Sequence, residues 1–137
     1  MKMNKIYSIE KISSINMNIV TKLLTFQNQI KILHWQTTSY SEHKTLDGLY
    51  GDLSGHIDEF VETFMGKYGR IMAESSFNFK LENYKNMSPM GLMSEMEAYF
   101  INELPTMLNT KTDTDLLNIR DEMLASVNQT KYLLTLK

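Results

Sequence analysis

A chain of 137 residues is long enough for one domain with a full core, and nothing in its length asks for a second. A net charge of −2 argues against a surface built to bind nucleic acid as a whole, and the absence of cysteine removes disulfides, thiolate metal sites and cysteine nucleophiles together. His, Asp and Glu remain as the strong metal ligands; no apolar run approaches the roughly 18 residues of a membrane span, and the N-terminus lacks a signal-peptide core, so the sequence reads as a cytoplasmic protein.

Residues 1–13 carry Lys2, Lys5 and Lys11 and read as an N-terminal arm or an extra helical turn ahead of a domain at 14–137. Three lysines are thin support for DNA as a partner. From Ser14 to Thr37, Ile15, Ile19, Leu23, Phe26, Ile30 and Leu33 recur at helical spacing, which predicts one helix with a single buried seam. It ends at His34-Trp35 and a polar run.

A second helix is expected from Ser41 or Glu42 to Met72, with Leu46, Leu49, Leu53, Ile57, Phe60 and Phe64 as its core face. Gly48, Gly51 and Gly55 interrupt it, each at about 1 kcal/mol against alanine, so a close approach of another backbone is expected there. Residues 73–87 mix aromatic and polar types and read as a crossover with at most a short helix. Ser88-Pro89 is a helix start, with Ser as N-cap and Pro in the first turn. Met90, Met93, Met96 or Glu97, Phe100 and Leu104 continue that seam to Pro105, which should kink or nearly end it. The last helix opens at Thr112 or Asp113, with Leu116, Ile119, Met123, Val127, Thr130 and Leu134 as its seam. The expected fold is all-α, a ferritin-like four-helix bundle with a longer middle crossover.

The chemistry lies on a second face of the second helix. His43, Asp47, Gly51, Ser54, Asp58 and Glu62 share it, where a buried face would carry Leu, Ile or Val. Asp47 and Asp58 are ~16 Å apart along a helix axis, so one chain does not close this stripe around one ion. The pairs His43 and Glu62, Asp47 and Asp58, and Gly51 and Ser54 are each symmetric about the midpoint between Asp52 and Leu53. Two copies crossing antiparallel about a two-fold would therefore bring His43 and Asp47 of one to Asp58 and Glu62 of the other, with small residues at the crossing. His34, across a short turn, is expected to swing in as a fifth ligand. Two imidazoles and three carboxylates suit Fe(II), Mn(II) or Zn(II). No Glu has a His three residues later, which disfavours a di-iron site inside one bundle.

Taken singly, each histidine is better explained by capping or hydrogen bonding than by metal binding; the set of five spaced ligands is what points to metal. His56 reads as a surface or interface residue, Glu59 as solvated or, with a slight helix rotation, an accessory carboxylate, Trp35 as packing beside the site, and the eleven methionines as core filling.

At His34-Trp35, His43, Asp47, Asp58 and Glu62 the sequence resembles the Dps-type mini-ferritins, with a shorter turn between the first two helices than is usual there. HIDEFVE looks like the segment around that family's Asp and Glu. The resemblance implies a ferroxidase centre between two-fold-related subunits, in a dodecameric shell that stores ferric iron after hydrogen peroxide or oxygen has oxidised Fe(II). It also carries two alternatives: a non-catalytic ferritin-like protein holding Zn(II) or no metal, and a DNA-protecting protein.

Overall fold

A computed structural model describes residues 2–136, with the side chains of residues 2–18 outside that description. The described residues are all-helical: α1 spans Lys2–Gln36, α2 Tyr40–Tyr68, α3 Pro89–Ala98 and α4 Thr114–Leu133. The backbone of the expected arm continues α1. Lys2, Lys5 and Lys11, and Ile15 of the first seam, fall among the side chains outside the description. No helix of the described residues is long and apolar enough to cross a membrane.

The seams meet in one core. Leu23, Ile30 and Leu33 of α1, Leu46, Leu53 and Phe60 of α2, Met93, Met96 and Phe100 of the third helical arm (residues 89–107, α3 and the turns that extend it), and Leu116, Met123 and Val127 of α4 are all essentially inaccessible to water. At about 1.5–3 kcal/mol for each buried large apolar side chain, this core is what holds helices that sequence propensity alone would leave marginal.

The hairpins α1–α2 and α3–α4 are joined by a crossover, residues 69–88, that travels the length of the bundle. It leaves beside the start of α4, where Lys67 meets Asp115, and reaches the α1–α2 turn, where Glu82 and Asn83 bond to Gln29 and Gln36. Helices α1 and α4 each pack against α2 and α3. Four antiparallel neighbours with one end-to-end connection result.

Besides the start of α1, two boundaries differ from expectation. Helix α2 ends at Tyr68, four residues before Met72, because Gly69 adopts φ 93°, a left-handed value that side chains resist, and its N–H caps the Met65 carbonyl. The third arm does not simply stop at Pro105. Its α-helical part gives way to a π-helical turn at Tyr99–Glu103 and a 3-10 turn at Leu104–Met107. Pro105 has no N–H and crowds the carbonyl four residues back, so the widened turn relieves a clash, and Arg120 takes the Phe100 carbonyl at 2.8 Å. In the same arm Met90 is exposed and Leu92 and Tyr99 are buried, a rotation from the expected seam. Glu97 faces Lys131 at 2.7 Å instead of the core.

The start of α4 is held by a buried carboxylate. Asp113, 1 % exposed, accepts from the Tyr68 hydroxyl at 2.6 Å and from the Asn109 N–H at 2.8 Å, with the Lys67 ammonium 3.1 Å away. Burial pushes its pKa up, but these three donors outweigh burial and leave it below the ordinary aspartate value.

Candidate metal centre

Three residues, Thr37–Ser39, join α1 to α2, and this short turn sets the histidines face to face. Ser39 caps α2 by accepting the Glu42 N–H. The His34 and His43 rings stack with centroids 3.8 Å apart and planes 16° apart. His34 Nδ1 lies 2.7 Å from the His43 carbonyl, and His43 Nδ1 lies 2.9 Å from the His34 carbonyl. A carbonyl only accepts, so Nδ1 carries the proton in both rings and the neutral form presents its lone pair at Nε2. A metal-binding imidazole is normally oriented in this way, by its other nitrogen donating to a carbonyl or carboxylate.

His34 is 7 % exposed and is placed by the turn itself, so no swing is needed. Its Nε2 stands 4.0 Å from Asp47 Oδ1. Ligand bonds of about 2.0–2.2 Å allow two donors of one ion to be at most about 4.4 Å apart, a limit this pair falls just inside. Lys31 also stands 4.0 Å from this carboxylate, with its ammonium 4.3 Å from the Tyr50 ring centre and 5.8 Å from that of Trp35. Trp35 is 66 % exposed, so it is not the packing residue that its position beside His34 suggested.

Asp58 and Glu62 project from the same side of α2 farther along, both exposed. The Glu62 pKa is raised, first by a side-chain hydrogen bond with Asp58 and then by the repulsion of its charge. Among the described residues no Lys, Arg or His lies within 4.0 Å of either carboxylate. Among the described residues they form an anionic pair without a partner cation.

One chain thus stacks His34 on His43 and sets His34 near Asp47, and it leaves Asp58 and Glu62 apart from them. No three His, Asp or Glu side chains among the described residues converge closely enough to hold an ion. Between the two groups lie Gly48, Gly51 and Gly55, and a Cβ built on any of them meets nothing within 4 Å. The close backbone approach expected of these glycines is therefore not made among the described residues. Ser54 is half-buried and its hydroxyl is occupied, accepting from Gln27 at 2.8 Å and donating to the Tyr50 carbonyl at 2.8 Å.

Sequence reasoning missed Lys31, although its spacing of four from Trp35 on α1 was available. It also missed Gln29, Gln36, Glu42 and Tyr84, whose roles depend on where the crossover lies. His56 is half-buried and Glu59 is exposed, lining a shallow groove with Asp115 and Glu122.

The architecture is a helical bundle with three candidate metal donors at one end of α2 and two at the other. Residues 34–134 match a family of unknown function, DUF5856, and the chain belongs to that family. No curated protein and no solved structure matches it.

Proposed function

We propose that this protein is a ferritin-like, Dps-like mini-ferritin whose ferroxidase sites form between two copies of the chain. The observation that carries the reading is the histidine clasp: two imidazoles locked with Nδ1 on backbone carbonyls and Nε2 left as donor, one of them within reach of Asp47. Two antiparallel hairpins joined by one end-to-end crossover support the ferritin-like bundle. The open glycine face of α2 supports the two-fold: a second α2 crossing there would fill space that none of the described residues fills, and carry its Asp58 and Glu62 to His43 and Asp47.

Each site then holds His34, His43 and Asp47 from one copy and Asp58 and Glu62 from the other. Fe(II) is the substrate. Two Fe(II) ions each give one electron to hydrogen peroxide, its O–O bond breaks, and two protons complete two waters. The chain's part is to bind the ions with mixed nitrogen and oxygen donors, which suit iron, and to supply carboxylates that balance the charge gained on oxidation. Asp58 and Glu62, which repel each other when no ion is present, gain most from a cation between them.

The test is native mass together with peroxide-triggered Fe(II) oxidation. We expect a dimer or a larger even assembly, up to a twelve-subunit shell, and oxidation lost in Asp58→Ala and in Glu62→Ala. A monomer, or unchanged oxidation in both variants, would overturn the proposal. The two imidazole donors also favour a second reading, a non-catalytic assembly holding Zn(II); it predicts Zn(II) binding at the same five residues with no iron turnover.

A further inference from the structure

The turn that places the two histidines is also gripped by the crossover. Gln29, 3 % exposed, pairs its side-chain amide with both backbone groups of Glu82, at 2.6 and 2.9 Å. Gln36, two residues after His34, bonds the next two residues of the crossover: it donates to the Asn83 side-chain Oδ1 at 2.8 Å and accepts the Tyr84 N–H at 2.7 Å. Glu42, the residue before His43, closes the loop. One oxygen, Oε1, accepts both the Thr37 hydroxyl at 2.6 Å and the Tyr84 hydroxyl at 2.8 Å.

We infer that the crossover is a positioning clamp for the histidine pair, with Glu42 and Tyr84 as its closing contact. Each imidazole is oriented by the backbone carbonyl of the other histidine, so the two rings stay fixed only while residues 34 and 43 keep their separation. The clamp sets that separation. Gln36 holds the His34 side of the turn to the crossover, and Glu42 holds the His43 side to the same crossover and to the start of the turn. Tyr84 is anchored in its own right, with its ring against the core. The hydrogen bond to Glu42, followed by burial, pushes the Tyr84 pKa up, which keeps the hydroxyl a donor through the neutral range. Glu42 and Tyr84 touch neither ring, and they act through the turn.

The clamp is tested on the metal-free full chain by long-range proton–nitrogen NMR of the imidazoles, so its outcome does not depend on the metal reading. Wild type should show both rings with the proton on Nδ1 and slow exchange of that proton. Tyr84→Phe removes only a hydroxyl and Glu42→Ala the acceptor; each should speed Nδ1–H exchange by about fivefold to tenfold, the worth of one hydrogen bond, with circular dichroism unchanged. Glu42→Gln keeps an oxygen acceptor and should stay near wild type. Unchanged exchange in Tyr84→Phe and Glu42→Ala would overturn the clamp. So would Glu42→Gln behaving like Glu42→Ala, since charge and not the hydrogen bond would then be at work.

A second arm rests on the proposed function and uses Co(II) added to the same proteins. Glu42→Ala should weaken binding about 10- to 100-fold, the usual effect of removing support from a metal ligand, and Glu42→Gln should restore it. A wild-type chain that takes up no Co(II) would count against the metal site, while the NMR arm still decides the clamp.

Discussion

His34 and His43 are nine residues apart, and each holds the other's ring through its own backbone carbonyl. Among the described residues each Nδ1 bonds only the other histidine's carbonyl, so the two are one structural unit. Replacing either removes one ring and also the stacking surface of the other. His34→Ala and His43→Ala should therefore weaken metal binding to a similar extent, and the double variant should cost little more than either single one. Co(II) or Zn(II) titration of the three proteins checks this non-additivity.

Gly51→Ala should act in opposite senses on the chain and on its assembly. A Cβ there meets nothing within 4 Å, so alanine should stabilise the separated subunit by about 0.5–1 kcal/mol through helix propensity. The same methyl group should weaken a two-fold packed across this face. Urea unfolding of the monomer and sedimentation across a concentration series separate the two effects.

Glu62 gives a pH dependence of known sign. Its pKa is raised in the folded protein, so the folded state holds its proton more tightly than the unfolded state does. Stability from this group is greatest below the ordinary value of 4.5 and is lost as pH rises through the raised folded value. Metal-free protein should therefore lose part of its Tm across that range, and Asp58→Asn should abolish the loss. A divalent ion between the carboxylates should reverse it.

Asp113 has the opposite sign. Its pKa is lowered, so its contribution is present above the ordinary value of 3.8 and lost as pH falls through the folded value. Asp113→Ala should cost about 2–3 kcal/mol, because the Tyr68 hydroxyl and the Asn109 N–H lose their acceptor. Denaturant unfolding at neutral pH checks the magnitude, and the difference from wild type should shrink in acid.

The α2 core face was legible in the sequence without error, because Leu46, Leu49, Leu53, Ile57, Phe60 and Phe64 repeat at helical spacing and all are buried. The third arm was not. Its π turn answers a clash between Pro105 and a carbonyl one turn back, and spacing alone carries no sign of how the backbone will yield. The five candidate ligands were legible as a polar stripe, whereas the orientation of the rings was not: it depends on backbone carbonyls, which every residue has. Lys31, Glu42 and Tyr84 escaped for a related reason, since their partners lie on other elements and no periodicity links Glu42 to a tyrosine 42 residues away.

The separation of donors along α2 also decides who can help whom. A chain lacking His34 and His43 still owns its carboxylates, and a chain lacking Asp58 and Glu62 still owns its histidines. If the sites form between copies, neither variant oxidises iron alone, but refolding the two together should regain activity. In each mixed pair one site receives all five donors and the other receives only Asp47. Complementation between two dead proteins is behaviour that a site built within a single chain does not show.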